Sequence, residues 1–430
     1  MRLAKKLVST FLIFSLLICL SQTNVLGSSL IGTPGADLLN PPGTFDPPDG
    51  DFDESNYNEE EPLAKETYYA EDSDEVQPVI GYVSTQATKA FKISGLSKSY
   101  EQPIQSFFVG STYLYATRTN GTTVYLTRFT ISGSNAVKKD RMVLKNIGKN
   151  QILEGYTHNG KMYFWIGCKP NSDAYSGTTP CNLTMQLGRI QYSADATISS
   201  YTDIVRFGYL DCANTSGTSF ATLISGKSNR VQRIDAGLSS DKTKIIIATR
   251  SCDGKIQYSQ YSNTFLNQVL DEAEANGNKF VSFAQNPNLI NGAGCEFSCV
   301  QSKGQRVRPN YGFQGMDVTS GYYSIYISGG TGVQWSASKQ KNVAKTPIIA
   351  KMVRNSSGGY TYSKAVKITN NLSDYTDDSD YLNATDFPPE IEGVKIVGDY
   401  LYFVLYPTVL SLKQNADYHY IYKIDKTVLS

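Results

Sequence analysis

A four-residue motif that occurs five times constrains the fold of this chain more than any other feature. It consists of an aliphatic or aromatic residue, a polar or charged residue, a third residue that is often Gly, and an apolar residue. The copies are Ile104-Gln105-Ser106-Phe107, Leu153-Glu154-Gly155-Tyr156, Val231-Gln232-Arg233-Ile234, Phe313-Gln314-Gly315-Met316 and Ile391-Glu392-Gly393-Val394. Each copy precedes a turn and a second strand-like run. A motif repeated in this way predicts a repeated structural unit.

Each repeat contains four strand-like runs in a constant order. In the first repeat they are residues 104–109, 113–117, 124–131 and 141–144, and the fourth run recurs at 204–207, 280–283 and 365–368. The third run carries a basic residue in four of the repeats, namely Arg128, Arg189, Lys351 and Lys423, whereas Gln260 takes this place in the third repeat. Four-stranded sheets repeated along an all-β chain are typical of a propeller. We therefore predict a five-bladed β-propeller of four-stranded antiparallel blades over residues 77–430.

The fifth repeat has runs for only three strands, and the third of them, residues 418–425, ends the repeat. The unassigned run Lys89-Ala90-Phe91-Lys92-Ile93 lies before the first repeat. We expect this N-terminal strand to pair with the last repeat and close the ring. Helix is expected only at residues 264–274, where Phe265, Leu266, Val269 and Leu270 form an apolar face.

The N-terminal residues have a different composition. Residues 1–27 show the layout of a secretory signal peptide, with basic residues before an apolar run that is too short for a membrane span. Residues 28–76 are rich in Pro, Asp and Glu, and Lys65 is the single basic residue between Asp37 and Glu75. We predict a secreted, extracellular protein with a disordered acidic linker or propeptide. The rest of the chain is then net basic, and the acidic stretch is either a spacer or a cover for a basic face.

The formal net charge of the whole chain is +1, which gives no strong basic field for nucleic acid. No later segment is apolar enough for integral membrane association, and we expect a monomer. Six cysteines remain after the signal peptide, and in an exported protein an even number favours disulfide bonds. The loops they occupy suggest the pairs Cys168 with Cys181, Cys212 with Cys252, and Cys295 with Cys299. A zinc site is disfavoured because the chain has only two histidines.

The second position of the motif is polar in every copy, and in a propeller the first strand lines the central channel. The candidate channel-lining residues are Gln105, Glu154, Gln232, Gln314 and Glu392. One interpretation is structural, since channel residues must form hydrogen bonds with water or with each other. The other is a ring that binds a sugar or a cation. Aromatic residues expected in loops, and therefore candidates for contact with carbohydrate, are Tyr175, Tyr311, Trp335 and Tyr406.

Two further patterns are weighed and set aside. The segment Gly217-Thr218-Ser219-Phe220-Ala221 is superficially similar to the nucleophile segment of subtilisin-like proteases, but neither histidine has the sequence context of a catalytic base. Four aspartates crowd one loop, at Asp374, Asp377, Asp378 and Asp380. They suggest Ca²⁺ as a candidate ligand, but a solvated acidic loop is favoured because the spacing of an EF-hand is absent. No other cofactor is predicted.

The C-terminal third resembles a known family. The residues that carry the resemblance are Phe313-Gln314-Gly315-Met316-Asp317, Ile325 to Gly330, Glu390 to Lys395, Leu401-Tyr402 and Ile421 to Ile424. They resemble helveticin J-type proteins, which are exported, heat-labile class III bacteriocins of Gram-positive bacteria. The six cysteines and the acidic linker depart from that pattern.

The resemblance implies a secreted β-propeller that binds a cell-surface glycan or cell-wall component and has antimicrobial action. Two alternatives stay open. One is a lectin without killing activity, and the other is a glycoside hydrolase that uses acidic residues such as Glu154 and Glu392. We expect a protein that is not an enzyme, because no pair of carboxylates stands in a context that distinguishes an acid from a base.

Overall fold

The computed structural model describes residues 82–96, 103–173, 175–176, 179–284, 286–290, 294–301, 313–330, 332–336, 341–356, 358–370, 389–406 and 419–430. The chain divides into two units, Met1–Asp53 and Glu54–Ser430, and all described residues belong to the second. The predicted signal peptide and acidic linker, together with the aspartates at 374–380, lie outside the described residues.

Strands dominate the described residues. Two short strands come first, β1 (Tyr82–Thr85) and β2 (Thr88–Ser94), and are together called the strap below. Repeat 1 contains β3 (Ile104–Val109), β4 (Tyr113–Asn120), β5 (Thr123–Ser132) and β6 (Asn135–Leu144). Repeat 2 contains β7 (Leu153–His158), β8 (Lys161–Pro170), β9 (Tyr175–Ser176), β10 (Thr179–Pro180), β11 (Thr184–Gln191), β12 (Thr197–Ile198) and β13 (Val205–Gly208).

The remaining repeats follow in the same order. Repeat 3 contains β14 (Val231–Leu238), β15 (Lys244–Ser251), β16 (Ile256–Ser262), helix α1 (Asn263–Ala275), β17 (Phe280–Ser282) and β18 (Cys295–Gln301). Repeat 4 contains β19 (Gly315–Val318), β20 (Ser324–Gly329), β21 (Gly332–Ser336), β22 (Lys341–Lys345), β23 (Ile348–Arg354) and β24 (Tyr360–Ile368). Repeat 5 contains β25 (Glu390–Val397), β26 (Tyr400–Tyr406) and β27 (His419–Asp425). Short 3-10 helices are Tyr201–Asp203, Leu210–Cys212, Pro287–Leu289 and Lys426–Leu429.

Each repeat forms an antiparallel sheet in which sequential strands are neighbours. The strand orders are β3-β4-β5-β6, β7-β8-β11-β13, β14-β15-β16-β18, β19-β20-β23-β24 and β25-β26-β27-β2. The first strand of each repeat contacts the first strand of the next, and β25 contacts β3. The described part of the chain therefore has an all-β, β-propeller-like fold, as the sequence predicted.

Apolar clusters fill the spaces between successive repeats. Strand β15 illustrates why these sequences form strands that are buried on both faces. Ile245 and Ile247 pack in the cluster shared with repeat 2, whereas Ile246 points to the cluster shared with repeat 4. Alternate residues of a strand point to opposite faces, so three consecutive isoleucines are all buried. Similar clusters join the other pairs of neighbours, including Val404 of repeat 5 with Phe107 of repeat 1.

The strap confirms the predicted closure. Strand β2 pairs antiparallel with β27, with Thr88 opposite Lys423 and Ile93 opposite His419, so it supplies the missing fourth strand of repeat 5. It also pairs in parallel with β6 of repeat 1, where Lys92 lies opposite Asn135. Strand β1 adds a parallel strand to the outer edge of repeat 4, with Tyr82 opposite Ala365. The strap thus connects three repeats through backbone hydrogen bonds.

One strand of repeat 3 differs from the prediction. Residues 280–283 were predicted to be its fourth strand, but β17 pairs in parallel with β13 of repeat 2 instead. The fourth strand of repeat 3 is β18, which pairs with β16. Helix α1 causes the difference. It leads the chain from β16 to the edge of repeat 2, where β17 forms, and the chain then returns to repeat 3 as β18. The helix itself was predicted correctly. Its N-cap is Ser262, whose hydroxyl accepts a hydrogen bond from the Phe265 N–H at 3.3 Å.

The basic residue on the third strand has a structural explanation. It lies directly opposite an aromatic residue of the second strand in four repeats, and the pairs are Tyr115–Arg128, Trp165–Arg189, Tyr326–Lys351 and Tyr402–Lys423. In repeat 3 the pair is Ile246 with Gln260. Arg128 also lies over the ring of Tyr113 at 4.9 Å, and Lys423 over that of Tyr400 at 4.4 Å. In these two repeats the cation lies over the aromatic residue two positions before the one directly opposite, whereas the Lys351 ammonium of repeat 4 donates to the Leu429 carbonyl oxygen at 3.2 Å.

The described residues contain no helix that is both long and apolar enough to cross a membrane.

Candidate functional site

The five first strands run side by side in the same direction. Near their beginnings, the Gly393 N–H donates to the Gln314 carbonyl oxygen at 3.1 Å. Further along, the Ile396 N–H donates to the Asp317 carboxylate at 2.6 Å. We call the end where these strands begin the entry end and the opposite end the exit end. In an antiparallel four-stranded sheet, the connections into the first strand and between the second and third strands lie at the entry end.

The long connections are bordered by strands that begin or end at the entry end. They are residues 145–152, 171–183, 209–230, 302–314, 330–347, 369–389 and 407–418. Most connections at the exit end are tight turns, such as those between β7 and β8 or between β25 and β26. The helix-containing connection 263–294 is the main exception. Loops held by a rigid scaffold are common positions for binding residues.

The four aromatic candidates differ in what the structure describes. Tyr311 and the side chains of Tyr175 and Trp335 lie outside the described residues. Tyr406 was expected in a loop, and this is wrong. It is the last residue of β26, it is buried, and its ring stacks on His419 with centroids 6.2 Å apart. Pairing with Glu390 holds Tyr406 in the sheet.

Polar side chains meet at the axis in two layers. The layer nearer the entry end, called the entry layer, consists of Gln105, Lys149, Gln151, Arg233, Gln314, Glu390 and Glu392. Here the Gln105 side-chain amide donates to the Glu392 carboxylate at 3.1 Å, and the Gln314 amide donates to Glu390 at 2.9 Å. The Gln151 amide donates to the Gln314 side-chain oxygen at 2.8 Å. Amides from different repeats therefore connect the inner strands.

The layer nearer the exit end, called the exit layer, is ionic. It consists of Glu154, Asp235, Asp317 and Lys395, all of them buried. The Lys395 ammonium forms an ion pair with the Glu154 carboxylate. The Asp317 carboxylate accepts the Val318 N–H at 2.9 Å in addition to Ile396. One lysine thus lies among three carboxylates from three repeats.

Arg233 joins the two layers. Its guanidinium donates to the Phe313 carbonyl oxygen at 2.7 Å and to the Gln151 side-chain oxygen. It also lies 3.6 Å from the Asp235 carboxylate. A planar guanidinium can make several such contacts at once, which suits it to a junction between strands.

Burial changes the protonation equilibria at the axis. It raises the pKa of Asp235 to about 7, with the nearby Arg233 opposing the change. It also raises the pKa of Glu154 to about 7 and that of Glu392 well above its usual range. Burial alone would lower the pKa of Lys395, but the carboxylates of Glu154 and Asp317 raise it. Removing charge from water is costly, and the cluster offsets this cost only in part.

Four of the five predicted axial residues occupy the axis. Gln105, Glu154, Gln314 and Glu392 are all buried there. They bind each other and their neighbours, as the structural interpretation of the motif expects. Whether they also contact a ligand stays a prediction. Within the two axial layers, three buried oxygen atoms of the described residues lack a hydrogen-bond partner, namely Gln105 Oε1, Glu392 Oε2 and Asp235 Oδ2.

Gln232 is the exception among the predicted axial residues. The pairing of β14 with β15 shifts register between Val231 and Arg233, and this bulge turns Arg233 towards the axis. Gln232 is half-buried, and its carbonyl oxygen accepts a hydrogen bond from the Asn171 amide at 2.9 Å. A second bulge, between Glu392 and Lys395, turns Lys395 inwards. Sequence reasoning missed Arg233, Asp235, Asp317 and Lys395 because they do not occupy the second motif position.

The disulfide predictions are not realised. All six cysteines, Cys168, Cys181, Cys212, Cys252, Cys295 and Cys299, are free thiols in the structure. Cys295 and Cys299 lie on the same strand, and four residues of strand span about 13 Å, beyond the ~7 Å limit between Cα atoms of a disulfide. Cys168 lies opposite Gln186, which is five residues from Cys181. Burial raises the pKa of Cys168 and of Cys212 to about 12, so these thiols stay protonated.

Cys212 and Cys252 lie in different surroundings. Cys212 packs in the apolar cluster between repeats 2 and 3. The Cys252 N–H donates to the Arg230 carbonyl oxygen at 2.7 Å, in the turn after β15.

Two other functional interpretations can be checked against the geometry. Ser219 donates a hydrogen bond to the Asp211 carboxylate at 2.6 Å, and its other contacts are with the backbone of Ala221, so its described hydrogen-bond partners do not include the histidine of a subtilisin-like triad. Within the described residues, no group of three or more His, Cys, Asp and Glu side chains could hold a metal ion.

Comparisons with solved structures found distant similarities. Similar solved structures include a member of the GH130 family of mannoside phosphorylases and glycoside hydrolases, with 10% identity, a TM-score of 0.37, and coverage of 82% of this chain and 96% of that one. A periplasmic gluconolactonase from Pseudomonas aeruginosa has 8% identity, a TM-score of 0.31, and coverage of 71% and 81%. The WD40 domain of coronin from Toxoplasma gondii has 7% identity, a TM-score of 0.27, and coverage of 81% and 87%. Values this low assign no activity to the chain.

The family is clear from a different comparison. The model of the family described as bacteriocin helveticin-J matches residues 84–427. The chain therefore belongs to the helveticin-J family, and the resemblance seen in the C-terminal third extends through all five repeats. No curated protein sequence matches the chain. Membership of this family suggests a bacteriocin-like protein.

Proposed function

We propose that this member of the helveticin-J family is a secreted five-bladed β-propeller with bacteriocin-like action, which binds a glycan on the surface of its target cell. The five sheets, each neighbouring the next around one axis, support five blades. The family supports the bacteriocin-like action. We further propose that the protein acts as a monomer and that the glycan binds at the entry end.

One observation carries the choice of the entry end. The long connections and the accessible part of the axis lie there together. Lys149 and Glu390 of the entry layer are both half-exposed, whereas the exit layer is buried. Charged and amide groups beside aromatic loops are suited to sugar hydroxyls and rings.

The proposal is tested with a glycan array and with growth inhibition of Gram-positive indicator cells. The test variant is the double substitution Lys149→Gln and Glu390→Gln at the entry end. The matched control is Lys161→Gln with Asp399→Asn, two exposed residues in exit-end turns. We expect the entry-end variant to lose glycan binding and the control to retain it. Equal binding by both variants would refute the location of the site.

The same assays separate the alternative functions. Binding without growth inhibition would indicate a lectin, and release of a cleaved sugar would indicate a glycoside hydrolase. For hydrolysis, the two carboxylates named from the sequence are poorly placed. Glu154 is engaged by Lys395 in the exit layer, whereas Glu392 binds Gln105 in the entry layer. Both are 1% exposed, which leaves no access for a substrate.

A further inference from the structure

Basic and aromatic side chains meet in the space between repeats 5 and 1, at its entry end. Repeat 1 supplies three of them and repeat 5 supplies two. The group consists of Arg118, Tyr125, Arg141, Tyr406 and His419 and is called the arginine cluster below. Apolar residues of both repeats fill the same space further from the entry end. The arginine cluster is thus the polar end of an otherwise apolar contact between two repeats.

Strand pairing places the three residues of repeat 1 on one face of its sheet. Arg118 lies two positions after Ala116 on β4, and Ala116 packs in the apolar cluster shared with repeat 5. Tyr125 lies directly opposite Arg118 on β5. Arg141 lies opposite Thr127, two positions after Tyr125, and its guanidinium lies over the Tyr125 ring at 5.2 Å. All three side chains therefore face repeat 5, with Tyr125 on the strand between the two arginines.

The two residues of repeat 5 face them across this space. Tyr406 lies two positions after Val404 on β26, and His419 lies two positions before Ile421 on β27. Val404 and Ile421 pack in the apolar cluster shared with repeat 1, so Tyr406 and His419 point towards repeat 1 as well. Tyr406 also lies directly opposite Glu390 of the entry layer. The arginine cluster therefore adjoins the part of the axis where we placed glycan binding.

Two positive charges lie close together in the arginine cluster. Burial lowers the pKa of Arg118 and the nearby Arg141 lowers it further, whereas Tyr125 and Tyr406 oppose this change. Burial and the charge of Arg118 lower the pKa of His419 to about 4, so its imidazole is neutral at pH 7. Among the described residues, Arg141 contacts the Tyr125 ring rather than a carboxylate. Like charges held near each other away from water are costly, and an anion beside them reduces that cost.

The arginine cluster is accessible from one side. Arg141 and Tyr125 are half-exposed, whereas Arg118 and Tyr406 are buried. A ligand at the entry end can therefore reach the Arg141 guanidinium, with the charge of Arg118 behind it. A guanidinium binds a carboxylate or a phosphate through two parallel hydrogen bonds.

We propose that the arginine cluster binds an oxyanion, a carboxylate or a phosphate, that is carried by the glycan. The inference rests on the glycan binding proposed above and names the chemical class of its ligand, an acidic sugar. Arg141 forms the direct contact, and Arg118 supplies the second positive charge. The neutral part of the sugar then extends towards the entry layer.

Titration calorimetry of the intact protein with three sugars tests the proposal. Glucuronate carries a carboxylate, glucose 6-phosphate carries a phosphate, and glucose is the neutral control. We expect at least one acidic sugar to bind at least about tenfold more tightly than glucose, because hydrogen bonds between charged groups are the stronger ones. The acidic sugar that binds more tightly identifies the oxyanion. Equal affinity for all three sugars would overturn the proposal.

Arg141→Gln is the test variant, because Arg141 is half-exposed and its loss leaves the apolar cluster intact. We expect this variant to lose the preference for acidic sugars. The control Arg354→Gln removes a half-buried guanidinium that lies over the Phe297 ring at 3.8 Å, at the exit end of repeat 4, and should retain the preference. Arg141→Lys keeps the charge without the paired donors and should retain only part of it. A preference that survives Arg141→Gln would place the oxyanion elsewhere and contradict the proposal.

The glycan array distinguishes a failure of this inference from a failure of the proposed function. Binding confined to neutral glycans and unchanged by Arg141→Gln would refute the oxyanion site and leave glycan binding intact. If no glycan binds, inorganic phosphate tests the site by itself. Phosphate should protect Arg141 against phenylglyoxal, which modifies guanidinium groups, and should leave the reactivity of Arg354 unchanged in peptide mass spectrometry. Without protection of Arg141, the oxyanion site would be refuted as well.

Discussion

The ring of repeats is closed at its rim and at its axis, and the two closures use different forces. At the rim, the strap supplies backbone hydrogen bonds to β27, β6 and β24. At the axis, side chains from the inner strands form amide and ionic contacts. The rim closure depends on the presence of a strand. The axial closure depends on which side chain each inner strand turns inwards.

This difference shows where each closure is vulnerable. A backbone ladder tolerates substitution of most side chains, because the donors and acceptors belong to every residue. A buried ion cluster tolerates little, because removal of one partner leaves the other charges without compensation. Substitutions should therefore affect the axis more than the rim, whereas truncation should affect the rim most.

Deletion of residues 82–94 should have the largest effect. It removes the strap, uncovers β27 and β6, and takes away Ile93, which is fully buried between repeats 5 and 1. We expect loss of the cooperative unfolding transition of the whole domain in calorimetry. Deletion of residues 28–76 is the control, because it retains the strap. A melting temperature of the 82–94 deletion equal to that of the intact protein would show that the rim closure is dispensable.

Lys395→Met should be the most damaging single substitution at the axis. It leaves Glu154, Asp235 and Asp317 buried without their shared cation, and we expect a loss of about 3–5 kcal/mol in the free energy of unfolding. Chemical denaturation measures this value. Lys161→Met, on the exposed turn after β7, should cost less than about 1 kcal/mol. A similar cost at both positions would contradict the ionic account of the exit layer.

The pH dependence of the free energy of unfolding, compared between Asp235→Asn and the unsubstituted protein, should isolate the contribution of the buried carboxylate. The folded-state pKa of Asp235 is about 7, above the usual value near 4 expected in the unfolded chain. The native state therefore holds a proton that the unfolded state releases between about pH 4 and pH 7. The stabilisation from this group is present below about pH 4 and is lost as the pH rises through 7, by an amount of about 4 kcal/mol. Asp235→Asn should flatten this part of the stability curve.

Asp253 provides a control of opposite sign for the same measurement. The ion pair with Lys255 and hydrogen bonds from the Ser251 hydroxyl and the Thr222 N–H outweigh burial and lower the pKa of its carboxyl to about 2. Its stabilisation is present above about pH 4 and is lost as the pH falls towards 2. Asp253→Asn should change the curve only in that acidic range. If Asp235→Asn changed the curve in the acidic range alone, the buried-carboxylate account would be wrong.

Gln105→Ala should have the smallest effect among these changes. It removes one amide donor from the Glu392 carboxylate, and the expected cost is about 1–2 kcal/mol in denaturant unfolding. Gln105 is a neutral amide, and its loss leaves no uncompensated formal charge. A cost as large as that of Lys395→Met would show that the two axial layers do not differ in this way.

The sequence predicted the rim more accurately than the axis. A missing fourth strand can be recognised by counting, and residues 89–93 were an unassigned run before the first repeat, so the closure by β2 followed. The repeated basic residue was equally visible, and it faces the aromatic residue of the neighbouring strand. Both features depend on pattern and strand order, which the local sequence determines.

The axis could be predicted only in part. Four of the second motif positions lie there, but bulges bring Arg233 and Lys395 inwards at positions that strict alternation assigns to the other face. The cysteine pairings failed for a related reason. Cys295 and Cys299 were placed in a loop, but they lie on one extended strand, where no disulfide can join them.

The pairing of the strap with β27 also has a mechanical consequence. The chain enters β2 at Thr88 and leaves β27 at Asp425, and these two residues lie at the same end of the antiparallel pair. A tension that pulls the chain outwards from both points loads the hydrogen bonds one after another, as in a zipper, instead of all together. The domain should therefore resist heat as a closed ring and yet open at low force when it is drawn out by its ends.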